Sequence, residues 1–164
     1  VFPYLQQNLD DVITVDDDEL VACFLDMVEN HKMVVENSGL LTVAAAKHLP
    51  AEGKRVVSIL SGGNMDVITM SSVVQNGLIQ RGRIFTVSVL LPDRPGMLVR
   101  VANVIAEQNG NVIKLEHNQF VSTNRQAAVE LRVTIEAYGE SHKAQIVGAL
   151  DAAGFKPETV QTSL

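Results

Sequence analysis

A strict two-residue alternation occurs twice in the second half of this 164-residue chain, and it limits what that half can fold into. Phe85, Val87, Val89 and Leu91 take one side of a run whose other side carries Thr86 and Ser88. Val129, Leu131, Val133, Ile135 and Ala137 alternate in the same way with Glu130, Arg132, Thr134 and Glu136. Period two places one set of side chains on each face of a strand, so both runs read as strands with a dry face and a wet face. Between them Leu98, Val101, Ala102 and Ile105 recur at helical spacing, closed by Asn109-Gly110 as a C-cap. Val112 to His117 reads as a further strand. Ile146, Ala149, Leu150 and Ala153 make a second helix ended by Gly154, and Phe155 to Gln161 is the last strand. The order is βαββαβ, the ferredoxin-like arrangement.

The first half reads strand, helix, helix, strand, helix, which makes the whole chain α/β. Asp11 to Val15 is a short strand ended by Asp16-Asp17-Asp18, one of whose carboxylates can cap the helix that follows. Within that helix Val21, Phe24, Leu25 and Val28 mark one buried face. Asn37-Ser38-Gly39 breaks the chain before an Ala-rich helix from Leu40 to His48, which Pro50 stops. Val56 to Leu60 is apolar on both sides, the pattern of a buried parallel strand. Ser61-Gly62-Gly63-Asn64 ends that run, and Thr69 to Gln80 is again helical.

Composition narrows the function classes. Hydrophobic residues make up 46% and charged residues 20%, so a packed core is expected rather than disorder. With no Trp and 4% aromatics, that core must be built from Val, Ile, Leu and Ala. No run of eighteen apolar residues suggests a membrane span. The net charge of −6 argues against nucleic acid and anionic membranes as partners. A lone Cys23 suits a reducing cytoplasm, and no targeting segment is visible. The chain opens on Val1 with no methionine before Met27, which suggests a processed terminus or an excised piece of a longer protein. The charge is uneven: residues 1–82 hold five basic and eleven acidic side chains, residues 83–164 eight of each. A boundary is therefore expected at Gln80-Arg81-Gly82-Arg83, with one domain in 1–82 and another in 83–164.

Three places could carry chemistry. Ser61-Gly62-Gly63-Asn64 stands at the carboxyl end of the expected buried strand, where open α/β sheets bind ligands. Two glycines let a ring approach the backbone, and the Ser61 hydroxyl can meet a heteroaromatic nitrogen; a tight strand-to-helix turn would call for the same glycines. Glu36, between apolar Met33-Val34-Val35 and a backbone break, reads either as a carboxylate in a cleft or as a solvated helix cap. Asp93-Arg94-Pro95-Gly96 precedes a helix N-terminus, whose free N–H groups favour an anion, although proline in a plain turn explains the same residues. His31, His48, His117 and His142 share no spacing and are joined by no cysteine, so no metal site is expected. None of the six lysines reads as a buried Schiff-base lysine.

His31 to Glu36, followed by Val56 to Asp66 with its Ser-Gly-Gly-Asn motif, resembles the closing part of threonine ammonia-lyases (threonine dehydratases), fold-type II pyridoxal-phosphate enzymes. The second half, with Leu91-Pro92-Asp93-Arg94-Pro95-Gly96, resembles the ACT regulatory domain of that family's single-ACT members. The resemblance implies a C-terminal piece of the catalytic α/β domain followed by a ferredoxin-like ACT domain. It implies that Ser61 hydrogen-bonds the cofactor's pyridine nitrogen, that Gly62, Gly63 and Asn64 wall the ring, and that Glu36 approaches from the same side. Asn37 departs from the Gly or Pro usual after that glutamate. The family's Schiff-base lysine and phosphate-cradling loop have no match here, so this chain by itself is expected to be inactive. Threonine to 2-oxobutanoate and ammonia is the reaction implied for the parent.

For the second half the resemblance implies side-by-side ACT pairing into a homo-oligomer, with an amino-acid effector at the seam, isoleucine or valine. Asp93, Arg94, Pro95, Gly96 and the strand from Asn111, through Val112, Ile113 and His117, to Asn118 would supply the contacts. Two other readings are a stand-alone ACT-type amino-acid sensor without catalysis and a dimerisation module without ligand.

Overall fold

Alternation at 85–91 and 129–137 does produce the two central strands, and the rest of the second half assembles around them. The computed structural model describes residues 1–50, 52–118 and 128–163. Contacts divide the chain into two compact units, Val1–Gly77 and Leu78–Leu164. The strands are β1 (Ile84–Pro92), β2 (Asn111–Asn118), β3 (Ala128–Glu136) and β4 (Glu158–Val160). The α-helices are α1 (Phe2–Asn8), α2 (Asp17–Asp26, continued by a π-helical turn over Met27–His31), α3 (Asn37–Ala46), α4 (Val67–Gln80), α5 (Met97–Glu107) and α6 (Glu140–Ala152).

In the second unit the sheet order is β2-β3-β1-β4, with every neighbouring pair antiparallel. Phe85, Val87 and Val89 of β1 and Leu131, Val133 and Ile135 of β3 face Val101 and Ile105 of α5 and Ile146 and Leu150 of α6. Burying each such side chain stabilises the unit by roughly 1.5–3 kcal/mol. α5 ends as its Asn-Gly pair demands: Asn109 adopts φ 61. A Cβ on Gly110 would stand 2.8 Å from Ile105 Cγ2 and 3.0 Å from Ile146 Cδ1, so that position admits no side chain.

The second face of the sheet is not the wet face that alternation suggests. Thr86, Ser88, Glu130 and Thr134 are all buried, because they satisfy one another across the strands. The Thr86 and Thr134 hydroxyls are 2.9 Å apart, and Ser88 Oγ donates to Glu130 Oε1 at 2.7 Å. Arg132 Nε donates to the same Oε1 at 2.9 Å. The Ser88 hydroxyl, followed by Arg132, holds the Glu130 carboxyl below the usual glutamate range. Lys114 Nζ reaches the Ser163 carbonyl at 3.2 Å, which ties the tail beyond β4 back toward β2. The last strand is also shorter than the expected Phe155 to Gln161, since only 158–160 pair with β1.

The first unit is helical among the described residues. Asp16 caps α2, and its N–H donates to Glu19 Oε2 at 2.9 Å. Leu20, Cys23, Phe24 and Met27 pack with Val35, Leu40, Ala44 and Val73. The buried stripe is thus rotated from the expected one: Phe24 and Leu25 are buried, Val21 and Val28 only partly. Gly77 lets α4 cross α2 closely, since a Cβ there would stand 2.5 Å from Leu25 Cδ1.

Neither strand expected in this half forms. Residues 11–15 and 56–60 pair with no strand among the described residues, and Val57 and Ile59 remain 87% and 72% exposed. A strand is held by its neighbours' ladder, and the 56–61 segment has α3 beside it instead.

Candidate functional site

Each unit has its own candidate region. In the second, the β1–α5 turn closes a cavity of about 330 Å³ lined by Leu91, Pro92, Asp93, Arg94, Pro95, Gly96, Met97, Leu98, His117 and Val129. Topology explains why these residues meet. β1 and β2 both run antiparallel to β3, so their carboxyl ends lie at the same end of the sheet. Leu91 pairs with Val129 there, and His117 pairs with Leu131. Gly96 is the N-cap of α5 with φ 87, a conformation that suits glycine, and open space surrounds its missing Cβ. The first turn of α5 adds N–H groups without intrahelical acceptors.

Of the residues expected at an effector site, the structure brings together Asp93, Arg94, Pro95, Gly96 and His117. Asn111, Val112 and Ile113 stand at the opposite end of β2, where the register shifts between Val112 and Lys114. Five residue steps along the strand separate Val112 from His117, about 17 Å. Sequence reasoning missed Leu91, Val129, Pro92, Met97 and Leu98 as lining. The first two become neighbours only through the β1–β3 register, whereas the last two could have been read as the helix start beside Gly96.

In the first unit, Glu36 and the 61–64 loop are adjacent. The Glu36 N–H donates to the Gly62 carbonyl at 3.3 Å, and Ser38 Oγ donates to Glu36 Oε1 at 2.8 Å. Gly62 has φ 84, and a Cβ on it would overlap the Glu36 carboxylate. At Gly63 a Cβ would come to 3.2 Å from the Val34 carbonyl. Gly62 is thus favoured by its backbone conformation and Gly63 by a tight approach to the Val34 carbonyl, reasons different from the ring approach inferred from the sequence. Glu36 and Asn64 line an open cleft of about 280 Å³ with Asn37, Ser38, Met65, Asp66 and Thr69, but Ser61 does not line it. Asp66 is held below the usual aspartate range by the Thr69 hydroxyl and the α4 N–H groups that it caps. Ser61 through Asn64 are exposed, and Glu36 is half-buried.

Among the described residues no group of three or more His, Cys, Asp or Glu is placed to hold a metal ion. His142 is used structurally: Nδ1 accepts from the Tyr138 N–H at 3.0 Å, and Nε2 lies 2.6 Å from the Gln108 carbonyl. No described helix is long and apolar enough to cross a membrane.

Comparison with known proteins bears on both regions. Residues 85–155 match the ACT domain model. An L-threonine ammonia-lyase of Geobacter sulfurreducens is 31% identical over 156 residues, which cover 94% of this chain and 39% of that protein. The L-threonine ammonia-lyase of Thermotoga maritima is 29% identical over 160 residues, 97% of this chain and 40% of that one. A biosynthetic L-threonine dehydratase of Haemophilus influenzae is 33% identical over 163 residues, 96% of this chain and 30% of that one. The chain thus spans two-fifths or less of the length of these relatives.

Proposed function

From a chain that carries an ACT domain at 85–155 and is homologous over nearly its whole length to threonine ammonia-lyases, we propose the C-terminal regulatory portion of such an enzyme. In this reading residues 1–82 contribute one wall of a pyridoxal-phosphate site and residues 83–164 sense an amino acid. The parent deaminates threonine to 2-oxobutanoate and ammonia in the cytoplasm. This chain by itself is inactive, since no lysine in it stands in a context suited to bonding the cofactor. The observation that carries the proposal is that each of these alignments runs through the Ser-Gly-Gly-Asn region and the ACT domain together.

Pyridoxal phosphate, when bound, supplies an electron sink for loss of a proton from the substrate carbon. The residues here fit one edge of such a group. Ser61 presents an exposed hydroxyl that makes no side-chain hydrogen bond to any described residue, free to meet a ring nitrogen. A neutral hydroxyl there, unlike a carboxylate, leaves that nitrogen incompletely protonated. Gly62, Gly63 and Asn64 form the wall beside it, with Glu36 against Gly62.

The cavity between β1 and α5 offers complementary groups for an amino acid. The α5 N-terminus and Arg94 suit a carboxylate, Asp93 suits an ammonium group, and Leu91, Met97, Leu98 and Val129 suit an apolar side chain. Its volume lies at the small end of the range for ligand sites, about 300–1,000 Å³, which favours isoleucine or valine. Two copies pairing antiparallel along the β2 edge would bring Asn111, Val112 and Ile113 of one to the His117 end of the other, completing the site at a seam. Effector and active site would then be coupled by about 1–3 kcal/mol.

Calorimetric titration of isoleucine, valine, threonine and serine into this chain tests the proposal. Saturable heat with a branched amino acid, abolished by Gly96→Val, is the expected result. Heat unchanged in that variant would move the site elsewhere, and no heat with any of the four would leave the second half as an assembly domain.

A further inference from the structure

We infer that Gly39 and Thr42 of α3 are positioning residues for Ser61, an inference that rests on the proposed cofactor role of the 61–64 loop. The 56–62 segment pairs with no strand among the described residues, so something else must fix its backbone. Three successive points along α3 do so. At Glu36, the N-cap, the N–H binds the Gly62 carbonyl at 3.3 Å. Three residues on, the Gly39 α-carbon abuts the Ser61 carbonyl. Three residues further, Thr42 Oγ1 donates to the Ile59 carbonyl at 2.8 Å, and Ser58 Oγ donates back to the Thr42 carbonyl at 3.3 Å. Residues spaced by three lie on one helix face, so positions 36, 39 and 42 hold 62, 61 and 59 in antiparallel order.

Gly39 sets the closeness of this approach. A Cβ on it would overlap the Ser61 carbonyl oxygen and stand 2.9 Å from the carbonyl carbon and 2.8 Å from Val35 Cγ1. A backbone carbonyl cannot swing aside as a side-chain tip can, so any larger residue displaces Ser61 itself. Nor does the helix want glycine here: its φ is not positive, and alanine is the better helix former. Glycine at this position is explained by the contact with Ser61.

The test uses the full-length protein that carries this segment, prepared without cofactor and titrated with pyridoxal phosphate while its fluorescence is followed. Gly39→Ala and Thr42→Val should each weaken binding about tenfold, the size expected for one displaced hydrogen bond. Thr42→Ser should restore it. The emission of the bound cofactor should shift in Gly39→Ala in the same direction as in Ser61→Ala, a change that general loosening would not reproduce. Calorimetric effector binding by the second unit should stay unchanged in all variants. Affinity within twofold of wild type in Thr42→Val, or in a folded Gly39→Ala, would overturn the inference, and if Gly39→Ala fails to fold the Thr42 pair decides. Ser61→Ala separates the two levels: if it too binds normally, the cofactor role of the loop is wrong; if it alone weakens binding, only the positioning role is.

Discussion

The two units contain similar apolar patterns and treat them differently. In Leu78–Leu164 the apolar strands find one another and two helices cover them, so Val87, Val89, Leu131 and Ile135 are fully buried. In Val1–Gly77 an equally apolar run, Val56 to Leu60, pairs with no strand among the described residues, with Val57 and Ile59 in the open. The difference shows that a strand-like pattern is a demand for neighbours rather than a structure. The second unit meets that demand within its own residues. The first unit satisfies its helices, through α2, α3 and α4, but leaves its apolar run held against α3 without a ladder.

The widest consequence concerns amide exchange. Ladder amides of β1 and β3 should exchange only through global opening, whereas residues 56–60 should exchange at close to unprotected rates, a contrast of several powers of ten by hydrogen–deuterium mass spectrometry. Comparable protection in 56–60 would mean that this run pairs after all, with a second copy for instance, and the contrast between the units would fail.

Next in size is a core truncation. Leu131→Ala removes a fully buried side chain from the sheet and should destabilise the second unit by about 2–5 kcal/mol in urea denaturation followed by circular dichroism. Leu41→Ala in the first unit, where the side chain is 46% exposed, should cost much less. Equal losses would show that exposure does not distinguish the two cores.

The smallest effect is electrostatic. Because Ser88 and Arg132 lower the Glu130 pKa in the folded state, Glu130 contributes stability above the unfolded pKa. That stability is lost as pH falls through the lower, folded value. Glu130→Gln should therefore lower the second unit's stability at neutral pH and flatten its acid limb, so that the variant and wild-type profiles converge below the ordinary glutamate range. An unchanged acid limb would remove Glu130 as a contributor.

Much of this was legible beforehand, in an uneven way. The alternations at 85–91 and 129–137, the stripe at 98–105 and the stops at Asn109-Gly110 and Gly154 all correspond to observed elements. The turn at Asp93–Gly96 and its company with His117 could also be anticipated. The buried polar ladder of Thr86, Ser88, Glu130 and Thr134 could not, because periodicity marks a polar face without saying that its members will satisfy each other. Asn37-Ser38-Gly39 reads as a chain break, and nothing local announces that the missing Cβ of Gly39 is the space taken by the Ser61 carbonyl.

Periodicity, capping and turn chemistry act over a few residues, and the chain carries them wherever it is placed. They decided the βαββαβ order of the second half and the three longer helices of the first, but not the loss of the two strands expected there. Register, close approach and cavity depend on groups far apart in sequence arriving together. Only the fold could therefore set Leu91 beside Val129, separate Asn111 from His117 by the length of a strand, and press Gly39 against Ser61. A side chain's period is a property of its own segment, but its neighbour is a property of the whole molecule.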